Sequence, residues 1–184
     1  TASHYALDSH AVRKREEGRV HLDGFLSYPS AVYTVPYGVM VPKEVGNLLL
    51  PVPVSGSHIG FSTLRMEPCW MAMGQAAGIA SALSIDGKVK VQNIDLSRLQ
   101  DKLVDQKATL MYFKDVDYTS PHFRMVQYLG LRGYLPEWTA RLQEPVDATT
   151  LAAWKKLSGT DLPGIKAGKT TRLATLEMIY RKIK

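Results

Sequence analysis

The stretch from Ser55 to Ile85, SGSHIGFSTLRMEPCWMAMGQAAGIASALSI, constrains this chain more than any other. It opens as a small polar loop and continues as a predicted helix rich in Gly and Ala. Pro68 suits the first helical turn, where a missing N–H costs nothing. Gly74, Gly78 and Ala82 recur at i, i+4 spacing and so share one face. A stripe with so little side chain either packs closely against another element or leaves the backbone open to a ligand. From spacing alone, close packing is the ordinary reading. The helix N-terminus brings free N–H groups and partial positive charge, with Ser57, His58, Ser62, Thr63 and Arg65 around it. Such an end suits an anion or an electron-rich ring edge.

The rest of the chain arranges itself around that stretch. Residues 1–63 read as strand and loop. Ala11–Arg15 and Arg19–Leu22 flank Glu16-Glu17-Gly18, which fits a hairpin. Prolines at 29 and 36 confine the next part to edges and loops. Asn47–Val52 is a short apolar run that predicts a strand buried on both faces. A strand that feeds a Gly/Ser loop and then a helix is how α/β folds bind ligands at strand ends. Gly87 is expected to terminate the helix as its C-cap glycine. Asp95 caps a second, amphipathic helix with Leu96, Leu99 and Leu103 on one face. Residues 112–120, YFKDVDYTS, resemble a linker in composition. Beyond it, start signals at Ser120-Pro121, at Asp147 or Thr149, and at Thr170 or Thr171 predict three short helices.

Charge supports a division into 1–118 and 119–184. Residues 1–120 carry 12 Lys/Arg and 12 Asp/Glu, whereas residues 121–184 carry 11 Lys/Arg and 5 Asp/Glu and hold the whole net charge of +6. Those basic residues are scattered over helices without interleaved aromatic clusters, so a solvated surface is expected and nucleic acid is not an expected partner. No apolar run approaches the roughly 20 residues that span a bilayer. Cys69 is the only cysteine, which leaves no internal disulfide and no cysteine-based metal site. The chain opens on Thr1 and enters patterned sequence at once, so a piece of a longer protein is expected. The compartment of that protein stays open, an extracytoplasmic one included, and so does its oligomeric state.

Three segments carry a resemblance. The opening DSH (8–10), YTVPYGVMVPK (33–43) and NLLLPVPVSGSHIGFSTLRMEPCWMAMGQAAGIASAL (47–83) together resemble the C-terminal part of bacterial FAD-dependent oxidoreductases with glutathione-reductase-type flavin folds. Some proteins of this type are labelled xanthan lyases. The resemblance implies an α+β fragment of a larger FAD/NAD(P)-binding-type α/β protein: a β-rich segment with one central Gly/Ala-rich helix, followed by a small basic all-helical module. It further implies that Ser57, His58, Arg65, Met66, Glu67, Pro68, Gly74, Gln75 and Gly78 lie on or near the flavin, with the helix N-terminus facing the ring near N1 and the C2 carbonyl. The family's G-x-G-x-x-G fingerprint is absent from these residues. The missing N-terminal FAD-binding half is therefore an expected partner, and the fragment by itself is expected to hold no FAD and to be inactive. Residues 122–184 are similar, over short segments, to helical units of surface-layer-homology-type modules.

The chemistry expected of the whole protein is hydride transfer from an organic, hydroxyl-bearing or sugar-like substrate to the flavin. A histidine is the residue type suited to removing a hydroxyl proton, which makes His58 a candidate base, although a hydrogen-bonded surface role is the plainer reading. Arg65 suits a substrate carboxylate or the flavin edge; the alternative is a structural ion pair with Glu67 or another carboxylate. Tyr37 is a candidate for the substrate side, against a packed aromatic. Asp8 and His10, at i, i+2, share a face in a strand and can orient one another, but no third ligand accompanies them and no metal is expected. Two alternatives remain: a polysaccharide lyase of the xanthan type, with Tyr37, His58 and Arg65 as its machinery, and a non-enzymatic cell-surface or interaction module.

Overall fold

The computed structural model describes residues 1–10, 17–18 and 25–184. These form two compact units, Thr1–Ala108 and Thr109–Lys184. The hairpin expected over 11–22 lies outside the described residues, apart from a turn at Glu17 and Gly18.

The first unit is α+β. Strands β1 (Ala2–Ser3) and β4 (Tyr33–Thr34) pair antiparallel, as do β2 (Leu7–His10) and β3 (Phe25–Tyr28). In the second pair Asp8 stands opposite Ser27 and His10 opposite Phe25. Asn47–Val52 forms no strand. The Leu50 amide bonds the Met40 carbonyl at 2.9 Å and Val54 N–H turns back onto Val52 at 2.9 Å, so this run is a loop. Pro51 and Pro53 remove two of the donors that a central strand needs.

The opening stretch splits into two helices. Helix α1 (His58–Leu64) begins at Ser57, whose hydroxyl accepts from Gly60 N–H. Helix α2 runs from Glu67 to Gly87, with Pro68 in its first turn. Cys69, Met73, Ala77, Ala80 and Leu83 make its buried stripe. Cys69, Met73 and Ala77 close a core with Met40, Val54 and Leu64. The glycine expected to end α2 remains helical. Lys88 takes the left-handed conformation instead, at φ 51°, with its N–H on Ile85 and the next N–H, of Val89, on Ser84. Helix α3 (Leu96–Asp105) is capped by Asp95 as expected, accepting from Ser97 and Arg98, and packs against α2.

The second unit is helical: α4 (Phe123–Gly130), α5 (Ala148–Ser158) and α6 (Arg172–Ile183). Asp147 and Thr171 cap α5 and α6. The segment that resembled a linker belongs to this unit's core, because Phe113 and Val116 are buried among Val126, Leu129, Trp154, Leu176 and Ile179. Gln127, fully buried, holds that segment in place. Its amide oxygen accepts from Leu110 and Met111 N–H, each at 2.8 Å, and its amide nitrogen donates to the Met111 carbonyl at 2.7 Å. No described helix is long and apolar enough to cross a membrane.

Candidate functional site

Strand β2 and helix α1 pack together and gather four polar side chains. Asp8 is central. One carboxylate oxygen sits 2.7 Å from Nη2 of Arg65, the residue that ends α1, and the other sits 3.0 Å from Nε2 of His10. Arg65 also donates to the Asp8 carbonyl at 3.3 Å. Asp8 therefore fixes the guanidinium and an imidazole at once. This answers two open points of the sequence: Arg65 pairs with Asp8 rather than with Glu67, and Asp8 and His10 do orient one another. Among the described residues no group of three or more His, Cys, Asp or Glu gathers in a metal-holding cluster.

His58 stands first in α1, and its Nε2 lies 2.9 Å from the backbone carbonyl of His10. A carbonyl can only accept, so Nε2 carries the hydrogen. In the neutral ring that leaves the lone pair on Nδ1, the atom able to take a proton. The side chain is exposed, as a base that meets a substrate must be.

The small polar residues expected around the α2 N-terminus have other work. Ser57 caps α1. The Ser62 hydroxyl donates to Ile59 and accepts from the Asp8 amide, at 2.7 and 3.1 Å. Thr63 donates to the Tyr5 carbonyl, and Tyr33 donates to the Thr63 carbonyl at 3.0 Å. Together they fasten β2 and its neighbours onto α1. Tyr37 is a packed aromatic: its ring lies against the core, its hydroxyl donates to the Val91 carbonyl at 2.9 Å, and burial pushes its phenol upward from its usual range.

Among the described residues, the N-terminus of α2 keeps the Glu67 donor to spare. Met66, its N-cap, supplies no side-chain hydrogen bond; Pro68 has no N–H; Cys69 and Trp70 N–H both turn to the Met66 carbonyl, at 3.0 and 3.1 Å. That leaves the Glu67 N–H, beside an exposed carboxylate of its own residue. The bare stripe is genuinely bare. A Cβ built at Gly74 or Gly78 would meet no atom within 4 Å, so nothing described in this chain explains why these positions lack side chains. Gln75, on the same side of the helix, donates to Gln106 at 2.9 Å.

A family model described as FAD dependent oxidoreductase matches residues 1–103, more than half of the chain. The chain belongs to this family. The matched region contains β2, α1 and all of α2, and stops within α3. No curated protein and no solved structure matches. Family membership brings FAD as the cofactor of the whole protein and makes that protein a flavin oxidoreductase in type. The expected lyase label gains no support from the match. The chain's own residues fit one side of FAD only: an uncapped helix end and an open Gly74–Gly78 face suit the flat edge of a ring. No Gly-rich strand–helix turn of the nucleotide-binding type occurs in the sequence to receive the pyrophosphate.

Proposed function

We propose that this chain supplies the ring-facing wall of the flavin site in an FAD-dependent oxidoreductase, together with the groups that bind and deprotonate a hydroxyl-bearing substrate. FAD, when bound, supplies the hydride acceptor. The Glu67 N–H and the positive end of α2 stabilise negative charge at the ring edge, and Met66, Pro68, Gly74, Gln75 and Gly78 form the surface beside it. Nδ1 of His58 takes the substrate's hydroxyl proton while Nε2–H stays on the His10 carbonyl. Arg65, oriented by Asp8, holds an electron-rich substituent of the substrate. Tyr37 belongs to the packing behind this surface, and Ser57 acts by starting the helix that presents His58.

The observation that carries this reading is the family match over residues that include an otherwise unexplained open stripe. Purification of the full-length protein tests it. A yellow protein with flavin absorbance, whose His58→Gln variant keeps the colour but reduces it with substrate far more slowly, supports the assignment. A folded, colourless protein that cannot be reconstituted with FAD refutes it.

A further inference from the structure

The second unit holds a cleft of about 210 Å³. Tyr134, Glu137, Arg141, Trp154, Leu157 and Arg172 line it, and none of them lies in the region matched to the oxidoreductase family. Arg172 opens α6 and is only 7% exposed. Its Nε donates to the Ala140 carbonyl at 2.8 Å, and its guanidinium carbon lies 5.0 Å from the centre of the Trp154 ring. Among the described residues no carboxylate forms an ion pair with it, and its two terminal nitrogens make no hydrogen bond. Neither terminal nitrogen is a fully buried unpaired atom, so both keep contact with solvent and an acceptor entering the cleft can reach them.

Arg141 adds a second observation. It adopts a left-handed backbone at φ 52°, unusual for a side chain of this size. Asp115 pins that turn, accepting from the Ala140 amide at 2.8 Å and the Arg141 amide at 2.7 Å. The Arg141 Nε is buried and has no hydrogen-bond partner among the described residues, while one terminal nitrogen pairs with the exposed Glu137. The first turn of α5 is not the receptor, since Asp147 already occupies it through Thr150 N–H and hydroxyl. Burial and the nearby Arg141 pull the Arg172 guanidinium below its usual range, against the attraction of Glu137, Asp147 and Glu144, none of which forms an ion pair with it.

We propose that this cleft binds a small ring-bearing monocarboxylate, held by Arg172 and Arg141 with its ring along Trp154 and Leu157. Glu137 beside Arg141, with Asp147 and Glu144 farther off, offsets much of the charge of the two arginines, and these carboxylates disfavour a phosphate dianion more than a monoanion. The planar guanidinium fork matches a carboxylate. The apolar wall accepts one ring, and a cleft below the usual range for drug-sized ligands has no room for a nucleotide. The acid can be free in solution or borne on a sugar, and one experiment separates the two.

The 184-residue chain is titrated with benzoate, glucuronate, benzamide and inorganic phosphate, and backbone amide NMR shifts are followed. Saturable shifts at Arg141, Trp154 and Arg172 with benzoate indicate a free aromatic acid, and with glucuronate a sugar acid. Benzamide, lacking the charge, is expected to leave them unmoved. Arg141→Gly suits the left-handed backbone, keeps the fold, and should weaken carboxylate binding about tenfold or more. Arg172→Met should abolish it; if that variant fails to fold, Arg141→Gly decides. Absence of binding by both acids, equal binding of benzamide, tighter binding of phosphate, or unchanged affinity in Arg141→Gly each overturns the proposal.

Discussion

Replacing both Gly74 and Gly78 by Ala should move the free chain and the flavin-loaded protein in opposite directions. In the free chain a Cβ at either position meets nothing within 4 Å, and both lie inside a 21-residue helix. The substitution then adds helix propensity without a clash, about 0.8–1 kcal/mol per site and so roughly 2 kcal/mol for the pair. For a unit of this size each kcal/mol raises Tm by roughly 4 °C or more. The first unit of the double variant should therefore melt several degrees higher, followed by far-ultraviolet circular dichroism. In the full-length protein the same two methyl groups stand on the face proposed for the ring, where close packing tolerates little added volume, and flavin should dissociate more readily. Flavin absorbance after gel filtration measures that loss. A lower Tm in the free chain would mean that the stripe is a packing surface within the chain. A higher Tm with unchanged flavin retention would remove the stripe from the cofactor site. Either result refutes the reasoning, and they refute different steps of it.

Glu67→Gln removes a carboxylate from the first turn of α2; it should cost the free chain about 0.3–1 kcal/mol of helix stabilisation while making bound flavin easier to reduce, as read by a redox titration of the whole protein. Gln127→Leu leaves two buried N–H groups and a carbonyl unpaired at Leu110 and Met111, and should destabilise the second unit by about 3 kcal/mol or more in urea unfolding. Asp147→Ala tests a pH dependence. The Thr150 hydroxyl and amide hold the Asp147 carboxyl below its usual range, so its contribution is complete above the carboxylate's unfolded pKa and disappears as pH falls through the lower, folded one. Wild type should therefore melt higher than the variant at neutral pH, and the two curves should converge in acid; a gap that persists there contradicts the assignment.

The helices were legible because their signals are local. Asp95, Asp147 and Thr171 cap where side-chain chemistry says they should, since the cap bonds an amide only two or three residues away. Asn47–Val52 misled because apolar content cannot reveal whether a partner strand exists. Residues 112–120 misled for the converse reason: a charged, turn-like composition concealed Phe113 and Val116, whose burial depends on helices that follow later in the chain.

The candidate site divides along the same line. The order of its motifs carried the resemblance to the family, and spacing along α2 fixed which of its residues share a face. That Arg65 reaches Asp8, that the His10 carbonyl sets the tautomer of His58, and that the Tyr37 hydroxyl bonds the Val91 carbonyl were decided only by tertiary structure. Those relations join residues some fifty positions apart, which no local periodicity encodes. The arginine cleft is a stronger case. Arg141 and Arg172 looked like two members of a scattered basic surface, and only the folded chain shows one of them largely buried with no ion pair among the described residues. Sequence determined which faces the helices bury; the tertiary fold decided which charges are left without partners, because desolvation depends on everything packed around a group.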